Sequence, residues 1–205
     1  MTDTRPTVRF LDRRTAPHVA TLVAMTGLSA LTMSVFLPSL PRMTDWFRTD
    51  YAFMQLSVAL YLAMNAVLQV VVGPISDALG RRPVLIWGFA LFLIATLGCI
   101  FAPTAGVFLA FRMMQAVIVV AMALSRAIVR DMYDQSQSAS VLGYVTMGTA
   151  VVPMIGPAIG GWLDQNFGWQ ASFWLLFAVG IATLALIWAD AGETATSRGK
   201  PFRDQ

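Results

Sequence analysis

Six continuous apolar runs, at approximately 19–40, 53–75, 83–101, 105–125, 140–163 and 171–189, set the rhythm of this chain. Each is close to the ~20 residues a helix needs to cross a hydrocarbon core. The runs are apolar throughout rather than alternating, which excludes lipid-spanning strands. The polar breaks between them are brief. The pattern predicts an all-α membrane protein: a six-helix transmembrane bundle over 18–190, a polar N-terminal tail over 1–17 and a polar C-terminal tail over 191–205.

Composition strengthens this reading. Hydrophobic residues make up 57% of the chain and charged ones 12%, against roughly 25% charged in soluble domains. The net charge of +3 is explained by placement. Arg5, Arg9, Arg13 and Arg14 precede the first run, Arg81 and Arg82 follow the second, Arg126 and Arg130 follow the fourth, and Arg198, Lys200 and Arg203 follow the sixth. Only Arg42 and Arg48 lie on the opposite side. The positive-inside rule then makes both termini cytoplasmic, and no nucleic-acid partner is needed to account for the charge. Trp46, Tyr51, Phe167 and Trp169 fall at the outer face, where aromatic belts form.

One cysteine, Cys99, and one histidine, His18, leave no disulfide, metal cluster or Cys/His nucleophile pair. There is no HExxH or Walker A segment and no Ser/His pair at membrane depth, so neither an enzyme nor a cofactor is expected.

Several positions inside the apolar pattern carry chemistry. Arg112 lies roughly 10 Å into the fourth run at 1.5 Å per residue. A cation at that depth costs from about 2.5 to above 10 kcal/mol, so it either faces a bundle interior or cavity or snorkels to the outer headgroups. Gln115 shares its face. Asn65 and Gln69, four apart, either line a polar cavity or bond between helices. The fifth run contains Gly148, Pro153, Gly156, Pro157, Gly160 and Gly161. Its GxxxG face permits close helix approach, and its prolines favour a bend. Between the second and third runs, Gly73, Asp77, Gly80, Arg81, Arg82 and Pro83 form a charged segment expected to be a tight loop. A faint echo links Gly73-Pro74, Asp77 and Gly80 with Gly156-Pro157, Asp164 and Gly168, on opposite faces, as an inverted three-plus-three repeat would. Gly-Pro pairs also mark ordinary helix ends.

The Gly73–Pro83 segment resembles the loop between helices 2 and 3 of major facilitator superfamily transporters. Arg112 and Gln115 resemble the Arg-x-x-Gln core of helix 4 in proton-coupled facilitators, with Ala116 where glycine is usual. The 148–161 stretch resembles the antiporter motif of helix 5. Ser34–Pro41 and Ser125–Tyr133 resemble Bcr/CflA-type drug exporters. The resemblance implies one six-helix half of a twelve-span fold, in the bacterial inner (plasma) membrane, that exports drugs or small metabolites by proton-coupled antiport. Its partners would be a small-molecule substrate, protons, lipid and a second six-helix half or another copy. Gly73, Asp77, Gly80, Arg81 and Arg82 would form a conformational latch. Arg112, Gln115, Asn65, Gln69 and Ser34 would serve substrate or proton coupling.

Three departures qualify what it implies. Ala78 replaces a basic residue. Ser34 stands where many relatives carry a carboxylate. No Asp or Glu falls inside the six runs. The 191–205 tail looks like the start of a central linker, so the chain reads as a half transporter. A homodimeric carrier or channel, or a truncated fragment without activity, are the alternatives.

Overall fold

The computed structural model describes residues 10–12, 15 and 17–192, without the side chains of Gln135 and Ser136. The tail arginines and lysine used above (Arg5, Arg9, Arg13, Arg14, Arg198, Lys200 and Arg203) lie outside the described residues.

The described residues form helices and no strands. The first span combines α1 (Val19–Ser34) and α2 (Leu40–Phe47). The second is α3 (Tyr51–Leu79) and the third α4 (Arg81–Ile100). The fourth combines α5 (Ala105–Gln115) and α6 (Val119–Met132). The fifth is α7 (Gln135–Phe167) and the sixth α8 (Gln170–Asp190). All six are long and apolar enough to cross a membrane.

The helices outrun the apolar pattern, because backbone hydrogen bonding continues after the lipid-compatible side chains stop. The expected 73–83 loop is therefore corrected to a single residue. α3 runs through Pro74 to Leu79, and only Gly80 separates it from α4. Gly80 has φ 99°, a conformation that side-chain-bearing residues avoid. Pro83 sits in the first turn of α4, where an N–H has no helical acceptor. The longer helices also take in Asp45, Asp77, Asp131, Asp164 and Asp190, which corrects the expectation of acid-free spans, although all five lie near helix ends.

Two spans are interrupted. A three-residue 3₁₀ turn, Leu37–Ser39, breaks the first at Pro38. A matching turn, Ala116–Ile118, breaks the fourth, and no proline or glycine explains it. These spans hold equivalent places in the two halves of a repeat. The first span packs on the fifth and sixth, and the fourth packs on the second and third. Gly168, between α7 and α8, has φ 87° and matches Gly80 between α3 and α4. The three-plus-three inverted repeat is thus visible in packing and turn geometry.

Polar ties close both ends of the bundle. The Asp190 carboxylate is fully buried and accepts from the backbone N–H of Leu11 (2.7 Å) and His18 (2.8 Å) and from Thr21 Oγ1 (2.5 Å). His18 also caps α1 through Nδ1, which accepts from the Ala20 N–H. At the other end, Arg42 at the end of the first span donates to the Asp164 carbonyl and lies 3.6 Å from its carboxylate. Trp169 is corrected from a belt residue to a core one. It is 1% exposed and packs against Phe47, Phe108 and Phe173, whereas Trp46 and Phe167 remain exposed.

Burial is uneven. Only 17% of the most apolar stretch of the second span and 11% of that of the fifth are buried. Val67, Val71 and Ile75 on α3, and Met147, Val151 and Met154 on α7, are exposed. Recurrence every three to four residues makes each set a helix face.

Candidate functional site

Arg112 is completely buried on α5. One guanidinium nitrogen donates to Gln115 Oε1, and the other donates to the Thr32 carbonyl at 2.8 Å. The rings of Phe36 and Tyr61 flank the guanidinium, each with its centroid 4.1 Å from Cζ. Gln115 in turn donates from Nε2 to Thr96 Oγ1 (2.7 Å), and Thr96 donates to the Phe92 carbonyl (2.7 Å). One cation therefore joins the first four spans. Arg112 Nε has no acceptor, and among the described residues no carboxylate pairs with the guanidinium. The charge is held by carbonyl dipoles and aromatic faces alone.

Tyr61 belongs both to this cluster and to the wall of a cavity of about 670 Å³ between the first, second, fourth and fifth spans. Ser34, Asn65 and Gln69 also line that cavity. The candidate residues thus fall into two connected groups: Arg112 and Gln115 behind the wall, and the other three on it. Thr26 and Thr149, whose hydroxyls bond at 3.1 Å, tie its floor across α1 and α7. Pro153 and Pro157 line it from α7.

The glycines of α7 lie against the first span. A Cβ on Gly148 would stand 2.8 Å from Val23 Cγ1, and one on Gly156 would overlap Ser34 Oγ. On Gly160 it would overlap the Val35 carbonyl oxygen. Gly161 is less confined, its nearest neighbour being Pro38 Cβ at 3.7 Å.

At the turn between the second and third spans, Arg81 draws three groups together. It contacts Asp77 at 2.7 Å, Asp131 at the end of α6 at 3.2 Å and Ser76 Oγ at 2.6 Å. Among the described residues Arg82 makes only a long contact, 3.4 Å, to the Trp188 carbonyl. Gly73 has open space around it, so no close approach there requires glycine.

The sequence gives no site role to Tyr61, Thr32 or Thr96, nor to Phe36 and Asp131, although these two lie within the Ser34–Pro41 and Ser125–Tyr133 stretches. Tyr61 was findable, since Tyr61, Asn65 and Gln69 recur every four residues on one helix face. The others join Arg112 or Arg81 only through tertiary packing.

Comparison with known proteins places this geometry in context. The family described as Major Facilitator Superfamily matches residues 22–204. A chloramphenicol resistance protein of Pseudomonas aeruginosa is 37% identical over 174 residues, which is 83% of this chain and 41% of that protein. Multidrug resistance protein MdtL of Escherichia coli O81 (strain ED1a) is 35% identical over 159 residues, 75% of this chain and 40% of that one. The chain therefore spans about two fifths of the length of these relatives. Among solved structures, a bacterial homolog of the human lysosomal transporter Spinster, inward-facing and unoccupied, aligns with a TM-score of 0.75 at 17% identity. The match covers 89% of this chain and 44% of that one. A peptide transporter POT in complex with sulfate aligns with a TM-score of 0.77 at 13% identity, over 90% and 41%. At such identities the structures show the shared fold alone.

Proposed function

Because this chain belongs to the Major Facilitator Superfamily, whose members matched here are transporters and not enzymes, we propose that it forms the N-terminal half of a secondary active exporter of drugs or small metabolites. The observation that carries the reading is Arg112, a fully buried cation without a counter-charge among the described residues, stacked on a tyrosine that also lines an organic-sized cavity. Burying such a charge is costly, and membrane proteins place such residues on substrate or ion pathways. A second six-helix half would cover the exposed faces of α3 and α7, close the cavity and supply the proton-binding carboxylate whose field Arg112 sets. Asp45, Asp77, Asp131, Asp164 and Asp190 all lie near span ends and away from mid-membrane depth. Asp77, Arg81 and Asp131 form the latch in this reading, released and remade as the two halves rock.

The test uses cells lacking their own exporters. They express this chain alone or together with the second six-helix half of the Pseudomonas relative, and are loaded with chloramphenicol. The paired halves are expected to lower steady-state accumulation several-fold, and a protonophore is expected to abolish the difference. Unchanged accumulation with both arrangements removes the reading. Equal export by the chain alone points instead to a homodimeric carrier.

The expected orientation in the inner membrane, with both termini cytoplasmic, rests on the arginine distribution. Alkaline phosphatase is expected to be inactive when fused after Gln205 and active when inserted between Arg48 and Tyr51. The opposite pattern would invert the assignment.

A further inference from the structure

We infer that the cavity between the first, second, fourth and fifth spans selects against organic cations and takes uncharged or anionic amphipaths. This rests on the reading of that cavity as the place where cargo is held. Its volume of about 670 Å³ falls within the range of sites for drug-sized molecules. Its wall mixes apolar side chains such as Met33 and Met122 with hydroxyls and amides, among them Ser29, Thr146 and Gln69. No lining residue is Asp or Glu.

The fixed charges near the wall are positive. Arg126 lines the cavity, is exposed and has no carboxylate partner among the described residues. Arg112 lies directly behind Tyr61, held by neutral groups only. An organic cation entering this space would shed water with no anion on this chain's walls to receive it, any carboxylate of a second half being engaged with protons, and in a cavity walled by apolar helices the repulsion is poorly screened. An anion meets the opposite field, and an uncharged molecule with hydroxyls or amides exchanges water for the wall's own polar groups.

Ser34 is the position that holds this balance. It is buried, lines the cavity and donates only to the Ala30 carbonyl at 3.2 Å. A carboxylate there would put a negative charge on the wall nearest the cargo.

Electrostatic potential can be read without knowing the cargo. The exposed cavity residue Thr146 is changed to cysteine (Thr146→Cys) with the native thiol removed (Cys99→Ala). In membrane vesicles it is reacted with the anion 2-sulfonatoethyl methanethiosulfonate and the cation 2-(trimethylammonio)ethyl methanethiosulfonate. Each reagent forms a mixed disulfide and releases methanesulfinate, and each rate is divided by that with free 2-mercaptoethanol. The normalised anion-to-cation ratio is expected to be about tenfold or more, and Ser34→Asp should lower it by a similar factor. Gln69→Cys gives a second vantage should Thr146→Cys not fold. A ratio at or below one at the positions that fold overturns the inference. Export of tetraphenylphosphonium in the accumulation assay would also overturn it while leaving transport intact. A positive potential with no export of any compound would sink transport and leave the selection standing.

Discussion

Replacing Arg112 with methionine is expected to leave the bundle folded and to lower export by about tenfold or more. The two halves of this result follow from different magnitudes. Methionine matches the length of the arginine stem and fills the slot between Phe36 and Tyr61. Interhelical hydrogen bonds in membranes average about 0.6 kcal/mol, and the two desolvated cation–π contacts, to Phe36 and Tyr61, add about 2 kcal/mol each. Against these losses stands the relief of a buried charge, worth from about 2.5 to above 10 kcal/mol. The partners are not stranded either. Gln115 keeps its bond to Thr96 and loses only its Oε1 donor. The net change in stability should lie within about 1 kcal/mol, as when buried ionic groups elsewhere give way to apolar ones. Export depends on the charge, so it should not survive. Arg112→Lys should also fail, because an ammonium cannot bond Gln115 and Thr32 through one planar fork while stacking between two rings. Thermal unfolding in detergent and drug accumulation in cells, measured on the same preparations, separate the two effects. Loss of folded protein in parallel with export would show that Arg112 is there for packing, and full export by Arg112→Met would remove its role altogether.

The spans were legible because a hydrocarbon core imposes length and composition on every helix that crosses it, and the apolar runs record both. Their ends were not, since the helices continue into polar sequence, as at Leu79 and Gln135. The family was legible through motifs, and the family found is the one the motifs resemble. Arg112 and Gln115 stood out as a charge and an amide on one face of an apolar run. The groups that hold them did not. The Thr32 carbonyl is a backbone atom, and Phe36, Tyr61 and Thr96 look in sequence like any other lining of a membrane helix. The break at Ala116–Ile118 leaves no residue signature. It emerges only in the backbone geometry of the fourth span. Trp169 was misplaced because an aromatic beside a glycine at a membrane edge is read as a belt residue. Its ring instead fills the space between Phe47, Phe108 and Phe173, a neighbourhood set by three separate helices.

Gly160→Ala is expected to cost about 3 kcal/mol or more, the upper range for overpacking, or to prevent folding, while Gly161→Ala next to it should be neutral or slightly stabilising. The pair isolates one cause. Both residues lie inside α7, where alanine is intrinsically favoured over glycine by up to about 1 kcal/mol. They differ in what the new methyl group meets. At Gly161 the nearest atom is Pro38 Cβ at 3.7 Å, an ordinary van der Waals contact. At Gly160 the methyl overlaps the Val35 carbonyl oxygen and lies 2.8 Å from its carbon. That obstacle is backbone, so no rotamer change relieves it. α7 would have to move off the first span, breaking the Thr26–Thr149 bond and the Arg42–Asp164 tie that hold the two spans together along their length. The same movement would widen the cavity, since Ser34 and Pro157 line it from opposite sides of this seam. Size-exclusion profiles and thermal midpoints of the two variants in matched detergent give the comparison. Equal stability of Gly160→Ala and the unaltered protein would mean that the first and fifth spans do not meet as closely as the overlap at Val35 requires.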